Sequence, residues 1–465
     1  MRKSLLAGLA AAALLASPGL AVAQEPDHGE TFGSLGWVTI PGAPLTSFDI
    51  SWVDEAGTPG TGPNGLNVYF LADRSNASID LFHIQVNPQP LKLTVAAPNQ
   101  FAGNVPTCPI ANACNGPNGV ITILNPGSNA KELWVGDGPT MTPGLGSPVC
   151  PTTCSTTKVF DSNGTLTHVI PSTGVFRADE LCFAPPDGAA RPFGLVLIAN
   201  DADSPPNIVF IATNGPNAYT VIERIPFPTA TNGIEQCQWN PTTQRFLLNI
   251  PEISGPGDDT AAGAVAIINA NTFGGPPFVQ SLNIVPINRC AGPQGMAIGP
   301  VNVPGGQVLL GCNAAVVGGP FDGNFNSVIV EGSSPSTVVA ELIGQGGADE
   351  VWFDPLAIHY FITGGSLLPA QTFGITDALT ALQDQNIFIG FTGATTRRSH
   401  STASWSGSGL GSTVTAAFVP VSATGGSTTA PFSSTVCGAQ AAQGCIAVFG
   451  VVPIPTTDPG GADVN

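Results

Sequence analysis

The 465-residue chain carries 57 Gly and 44 Pro and only 9% charged residues, which argues against a mainly helical protein and for many short strands joined by turns. Asp and Glu total 31 against 13 Lys and Arg, a formal net charge of -18 that speaks against a nucleic-acid partner. Hydrophobic residues make up 43% of the chain, enough for a large core, and the length exceeds what one compact sandwich uses.

The first residues read as an export signal. Arg2 and Lys3 form the basic region, Leu5 to Ala16 the apolar stretch, and Ala21-Val22-Ala23 a small-residue cleavage site. Cleavage after residue 23 removes two cations and leaves the chain more acidic still. No later run approaches the roughly 18 apolar residues of a membrane-spanning helix, and no cysteine precedes Cys108 to carry a lipid. The expected product is a periplasmic or extracellular monomer without a membrane span. Its expected layout is a signal peptide (1–23), an N-terminal segment (24–44), a repeat domain (45–453) and a polar tail (454–465).

Ten cysteines in an exported chain are most simply read as disulfides, since no paired CxxC zinc pattern is present. Cys108 with Cys114, Cys150 with Cys154, Cys290 with Cys312 and Cys437 with Cys445 lie close enough to pair locally. Cys182 and Cys237 remain, either bridging adjacent strands or as buried thiols.

A pattern then recurs along the chain: an acidic or amide residue, alternating apolar residues, often a Pro, a turn, and a second apolar run. The clearest copies begin at Asp179-Glu180-Leu181-Cys182-Phe183-Ala184-Pro185 and Glu235-Gln236-Cys237-Gln238-Trp239-Asn240-Pro241. Two more begin at Gln294-Gly295-Met296-Ala297-Ile298-Gly299-Pro300 and Asp349-Glu350-Val351-Trp352-Phe353-Asp354-Pro355. Looser copies start at Asp49, Asn118 and His400. Third strands are expected at Ile79 to Phe82, Thr157 to Phe160, Ile208 to Ala212, Ala264 to Ile268, Ser327 to Val330 and Asn386 to Gly390, with Cys445 to Phe449 closing the series. Asp377 to Gln385 reads as a short helical turn, and Trp405-Ser406-Gly407-Ser408-Gly409 as a flexible loop.

Seven units of four short strands predict an all-β fold, a single seven-bladed β-propeller closed by pairing the two chain termini. A four-stranded blade cannot cover both faces alone but buries both when packed radially. A pair of β-sandwiches is the alternative, disfavoured because no linker interrupts the repeat.

These units resemble the bacterial exported propellers that include the YVTN-repeat, NHL-repeat and gluconolactonase-like proteins, over residues 45 to 453. Leu133-Trp134-Val135-Gly136-Asp137-Gly138, Arg177-Ala178-Asp179-Glu180, Gly347-Ala348-Asp349-Glu350-Val351-Trp352 and Gly444-Cys445-Ile446-Ala447-Val448-Phe449 are similar to exported members without an assigned activity. The resemblance to gluconolactonase-like enzymes implies a divalent ion in the channel held by Glu, Asn and Asp. Those enzymes have six blades, so Glu235, Asn118 and Asp349 are candidates by type and position only.

In a propeller the residues leading into each innermost strand converge at one mouth. That would gather Asp179, Glu180, Glu235, Asp349, Glu350 and His400, with Asn118 and Gln294 as neutral partners. Such a ring of carboxylates calls for protons or a hard cation, Ca²⁺ or Mg²⁺. With the ion polarising a carbonyl and Glu235 or His400 as general base, the expected activity is hydrolysis of a small-molecule ester or lactone. A lyase using a channel histidine is a further possibility. The competing expectation is a non-enzymatic scaffold that presents loops 101–118 and 138–156 to a protein or glycan. Structural alternatives stand beside these roles. Asp179 and Asp349 could tie blades together through backbone N–H groups, and Arg177 could pair with Glu180 or bind an anionic substrate. His83 and His359 read as packed or surface residues, and Asp137 as a turn residue.

Overall fold

The structure, a computed structural model, describes residues 31–54, 67–84, 93–96, 100–105, 108, 113–139, 155–188, 191–258, 261–271, 275–287, 289–314, 326–364, 370–391, 399–409, 412–423, 436–440 and 442–452. The expected signal segment, His28, the Cys150–Cys154 pair and the C-terminal tail lie outside the described residues.

Seven four-stranded antiparallel sheets form the blades of a propeller. From the innermost strand outward, blade 1 is β2 (Ser51–Val53), β3 (Asn67–Asp73), β4 (Ser78–Ile84) and β5 (Leu93–Ala96). Blade 2 is β6 (Val120–Leu124), β7 (Lys131–Asp137), β8 (Thr156–Asp161) and β9 (Leu166–Pro171). Blade 3 is β10 (Leu181–Ala184), β11 (Leu195–Asn200), β12 (Asn207–Ala212) and β13 (Thr220–Pro226). Blade 4 is β14 (Cys237–Asn240), β15 (Arg245–Ile250), β16 (Gly263–Ala270) and β17 (Val279–Ile287). Blade 5 is β18 (Ala291–Ile298), β19 (Gln307–Ala314), β20 (Asn326–Glu331) and β21 (Ser334–Ile343). Blade 6 is β22 (Val351–Asp354), β23 (His359–Thr363), β24 (Ala370–Asp377) and β25 (Leu382–Phe391). Blade 7 is β26 (Ala403–Gly409), β27 (Ser412–Val421), β28 (Cys445–Val452) and, outermost, β1 (Thr31–Thr39), which pairs antiparallel with β28 and closes the ring. The innermost strands neighbour one another in that order, and β26 meets β2 again.

The period-2 alternation of a strand explains how the blades pack. In β11, Leu195, Leu197 and Ala199 belong to the cluster between blades 3 and 4, whereas Val196 and Ile198 face blade 2. In β19, Val308 and Leu310 face blade 4 and Leu309 faces blade 6. The core is therefore a series of wedges between blades. Residues at the far end of the inner strands add polar ties: Asp54 pairs with Lys131, Asn240 Nδ2 donates to Gly305 O at 2.8 Å, and Asp354 Oδ2 accepts from Ser404 and Ser406 at 2.9 and 2.7 Å.

Three expectations need correction. Asn386 to Gly390 lies in β25, the fourth strand of its blade, because β24 precedes it as the third. Asp377 to Gln385 forms no helical turn; Asp377 Oδ1 accepts from the N–H groups of Leu379 and Thr380, turning the chain tightly from β24 into β25. The Ser/Gly stretch Trp405 to Gly409 is no loop but the body of β26, held in register by β27. Pairing with a neighbour overrides weak strand propensity there.

Among the described residues four disulfides are formed: Cys108–Cys114, Cys182–Cys237, Cys290–Cys312 and Cys437–Cys445, consistent with an oxidising environment. Among the described residues no helix is long and apolar enough to cross a membrane. Cys182–Cys237 joins the innermost strands of blades 3 and 4 across a separation of 55 residues. Replacing both with Ala should cost about 4 kcal/mol, the loop-closure value for that separation, read as a lower urea midpoint. An unchanged midpoint would mean that this bridge contributes nothing to the folded ring.

Candidate functional site at the channel mouth

The residues preceding the inner strands are positioned by a repeated pair of backbone bonds. Asp49 N donates to Ala72 O while Ala72 N donates to Ile50 O, at 2.9 and 3.0 Å. The same exchange links Asn118 and Gly119 to Gly136, Asp179 and Glu180 to Ala199, and Glu235 and Gln236 to Asn249. In blade 6 the arrangement changes: the N–H groups of Asp349 and Glu350 both donate to His400 O, at 2.9 Å each. These bonds set the side chains at one end of the channel.

Blades 1, 6 and 7 meet most closely. One ligand atom each from Asp49, Asp349 and His400 lies within 4.8 Å of the other two. His400 Nδ1 is 3.0 Å from Asp349 Oδ2, and its ring stacks on Phe48 with centroids 4.7 Å apart and planes 2° from parallel. Immediately below, Glu350 Oε2 accepts from Ser51 N at 2.9 Å and from the hydroxyls of Ser51 and Ser401. Deeper still, Trp52 and Trp352 meet edge to face at 5.1 Å, from blades 1 and 6. The channel is thus crossed by two indoles beneath an acidic mouth.

Among the described residues, Arg74 and Arg177 are the arginines paired with carboxylates at this mouth. Arg74 pairs with Asp49 and donates to Asn118 Oδ1 from Nε and Nη2, at 3.0 and 2.7 Å. Asn118 Nδ2 donates to Asn115 O and to Ala178 O of the next blade. Asn118 is therefore occupied as a bridge between blades. Arg177 does not pair with Glu180, as expected from sequence; its guanidinium lies 2.7 Å from both Asp179 Oδ2 and Asp201 Oδ2. Glu180 is buried, and the negative charges of Asp179, Asp49, Glu350 and Asp349 act on it. Neither Arg74 nor Asp201 was singled out by the repeat.

Burial pushes the carboxyls of Glu180, Glu235 and Glu350 well above the usual range. For Glu180 the nearby Asp179 adds to this, and for Glu235 the nearby Asp349. Serine and backbone donors only partly offset burial at Glu350. Gln294 is nearly buried, and its backbone carbonyl accepts from Asn249 Nδ2 at 2.8 Å. Asp179 Oδ1, Gln294 Oε1 and Glu350 Oε1 are buried without a hydrogen-bond partner among the described residues. Surplus buried oxygens in a crowd of carboxylates are suited to hard cations such as Ca²⁺ or Mg²⁺.

Other sequence candidates serve packing. His359 Nε2 lies 3.1 Å from Asp384 Oδ2 and its ring packs edge-on to Phe32. Asp137 accepts from Gly138 N and Ala102 N and pairs with Lys158. His168 stacks on Tyr219 at 3.6 Å. The side chain of His83 lies outside the described residues.

No protein-family model and no curated protein matches the sequence. Solved structures with a similar trace include hydrazine synthase of Kuenenia stuttgartiensis, 15% identical over 65% of this chain and 79% of that one, with a TM-score of 0.43. A chain of the mitotic checkpoint complex is 10% identical over 97% and 100%, with a TM-score of 0.49. The WD40 repeats of RRP9 are 9% identical over 88% and 99%, with a TM-score of 0.47. The blade count rests on the sheets themselves.

The raised carboxyls fix the sign of a pH effect. Groups whose folded pKa exceeds the unfolded value take up protons on folding, so stability falls as pH rises from the unfolded toward the folded value. The buried Asp73 and Asp80 of blade 1 are shifted the same way. In chelator, the melting temperature should therefore climb as pH is lowered from about 8 to about 5. Glu350→Gln should reduce the slope by up to about 1.4 kcal/mol per pH unit. A melting temperature that drops steadily on acidification would contradict this account of the mouth.

Proposed function

We propose that this chain is an exported propeller of the gluconolactonase-like type, holding a divalent cation at the channel mouth and hydrolysing a small ester or lactone there. The observation that carries the reading is the convergence of Asp49, Asp349 and His400, from three blades, within 4.8 Å. Two carboxylates and an imidazole form a donor set for a hard or borderline divalent ion. Around them burial and neighbouring carboxylates raise Glu180, Glu235 and Glu350, a repulsion that a bound cation would relieve. A bound cation would supply the charge that polarises the substrate carbonyl.

The chain's own residues provide the rest. Phe48 fixes the plane of His400, and Asp349 orients its Nδ1. Glu235 stands beside Asp349 and, unlike Glu350, keeps part of its surface in solvent, where it can reach a water. As general base it takes a proton from that water while the water oxygen bonds to the carbonyl carbon. The bond to the ring or ester oxygen then breaks, and the proton passes to the departing oxygen. Trp52 and Trp352 form an apolar floor that limits the substrate to the mouth.

Purified protein dialysed against metal-free buffer should retain about one Ca²⁺ or Mg²⁺ per chain by mass spectrometry. Asp349→Asn should weaken its binding about tenfold or more. Glu235→Gln should keep most of the ion but reduce hydrolysis of a lactone panel by about 10²-fold or more. A protein that holds no ion, and is not stabilised when ions are added back, would leave the carboxylate ring a purely structural feature.

A further inference from the structure

The end of the ring opposite the mouth carries the longest inference. Each blade makes two reversals there, between its first and second strands and between its third and fourth. In blade 4 the first reversal is Pro241-Thr242-Thr243-Gln244, where Asn240 Oδ1 accepts from Thr242 N and Thr243 N and Gln244 has φ 56°. In blade 6 it is Pro355-Leu356-Ala357-Ile358, where Asp354 Oδ1 accepts from Leu356 N and Ala357 N and Ile358 again has φ 56°. The geometry is the same and the chemistry is opposite. Ile358 packs against the core between blades 5 and 6, whereas Leu356 in the same turn points away from it and is exposed.

The second reversal repeats the contrast. Asp161 Oδ1 accepts from Asn163 N in blade 2, as Asp377 Oδ1 does from Leu379 N in blade 6. Asn163 is thus matched by Leu379. Leu356, Leu379 and Leu382 are 53%, 40% and 65% exposed, and Val301, in the adjoining reversal of blade 5, is 69% exposed. These reversals touch: Ala378 N donates to Ile358 O at 3.0 Å, and Asn302 Nδ2 lies 3.4 Å from Leu379 O. They form one apolar surface where equivalent turns of the same molecule are polar.

The charge around it is one-sided. From residue 290 to residue 396 the sequence contains no Lys or Arg. Glu331 and Asp377 are part-exposed at the same end of blades 5 and 6, and Asp384 is exposed there although His359 pairs with it. We infer that this surface docks a protein segment whose apolar side chains are flanked by lysines or arginines. The apolar contacts would supply most of the affinity, and the acidic rim would orient the partner.

The test uses two synthetic amphipathic peptides, one of leucine and lysine and one of leucine and glutamate, with the disulfide-bonded chain. Wild type should bind the lysine peptide, with affinity falling as salt is added, and should not bind the glutamate peptide. The double variant Leu356→Thr, Leu379→Asn installs the residues of the equivalent polar turns. It should keep its melting temperature and any ion at the mouth, and lose about tenfold in affinity. Should the double variant melt early, Val301→Ser at the most exposed position provides the same comparison. Equal binding by variant and wild type would reduce the attraction to bulk charge and overturn the inference, as would binding of the glutamate peptide. It would also be overturned if the face instead takes wild type, but not the variant, onto phosphatidylcholine vesicles, or forms a dimer that the variant loses.

Discussion

The constraint on which this protein depends is that its strands are apolar on both faces. A strand such as β11 has all six of its residues buried, three apolar side chains toward one neighbouring blade and two toward the other. No blade can satisfy both faces alone, and a partial ring would leave two apolar walls in water. Pairing of β1 with β28 is therefore a condition of the fold, since it completes blade 7 and seats blade 1 against it. The large cluster joining blades 1, 6 and 7 contains Phe32 of β1 together with Tyr69, Phe361, Phe373, Phe418 and Phe449. Closure and core formation are one event there.

Closure also creates the electrostatic problem at the mouth. Because equivalent positions of a repeat converge on the axis, one acidic residue per unit becomes a ring of carboxylates with little room between them. Arg74 and Arg177 relieve blades 1 to 3, where each guanidinium faces a carboxylate of its own blade. Among the described residues no arginine or lysine forms an ion pair with Glu235 or Glu350. Hydroxyl and backbone donors serve Glu350, and His400 serves Asp349. A cation held by Asp49, Asp349 and His400 would add to this relief and stabilise the ring.

Much of this was legible in the sequence. The spacing of Asp179, Glu235, Gln294 and Asp349 ahead of a Pro yielded the blade number, because one backbone position is repeated with period-2 strands after it. Third strands are legible wherever they are compact and apolar; in blade 6 the pattern does not separate β24 from β25, because both are strands and the turn between them is short. Arg74 and Asp201 were missed for a definite reason. They lie just past the second strand, after Asp73 and Asn200, whereas the repeat is marked by the residues before the first. An antiparallel hairpin places both positions at the same end, so the polar pairs Asp73-Arg74 and Asn200-Asp201 were an available signal. The Trp52–Trp352 contact had none, since it joins strands that are neither consecutive nor adjacent in the ring.

The location of the mouth site relative to the seam follows from the same geometry. Ser51 N bonds to Glu350 across a sequence separation of 299 residues, and Ser51 bonds to Ser401 across 350. Contacts of that range form only after the loops between them have been ordered, so their entropic cost is borne by the whole ring. Asp49, Asp349 and His400 can consequently share a ligand only in the closed propeller, and any ligand they bind stabilises closure to a degree set by its free concentration relative to its Kd. The apolar turns of blades 5 and 6 stand in contrast, since neighbouring reversals suffice to build them. One end of the molecule is assembled by the complete ring and the other by two blades, which makes the two surfaces physically separable despite sharing the same strands.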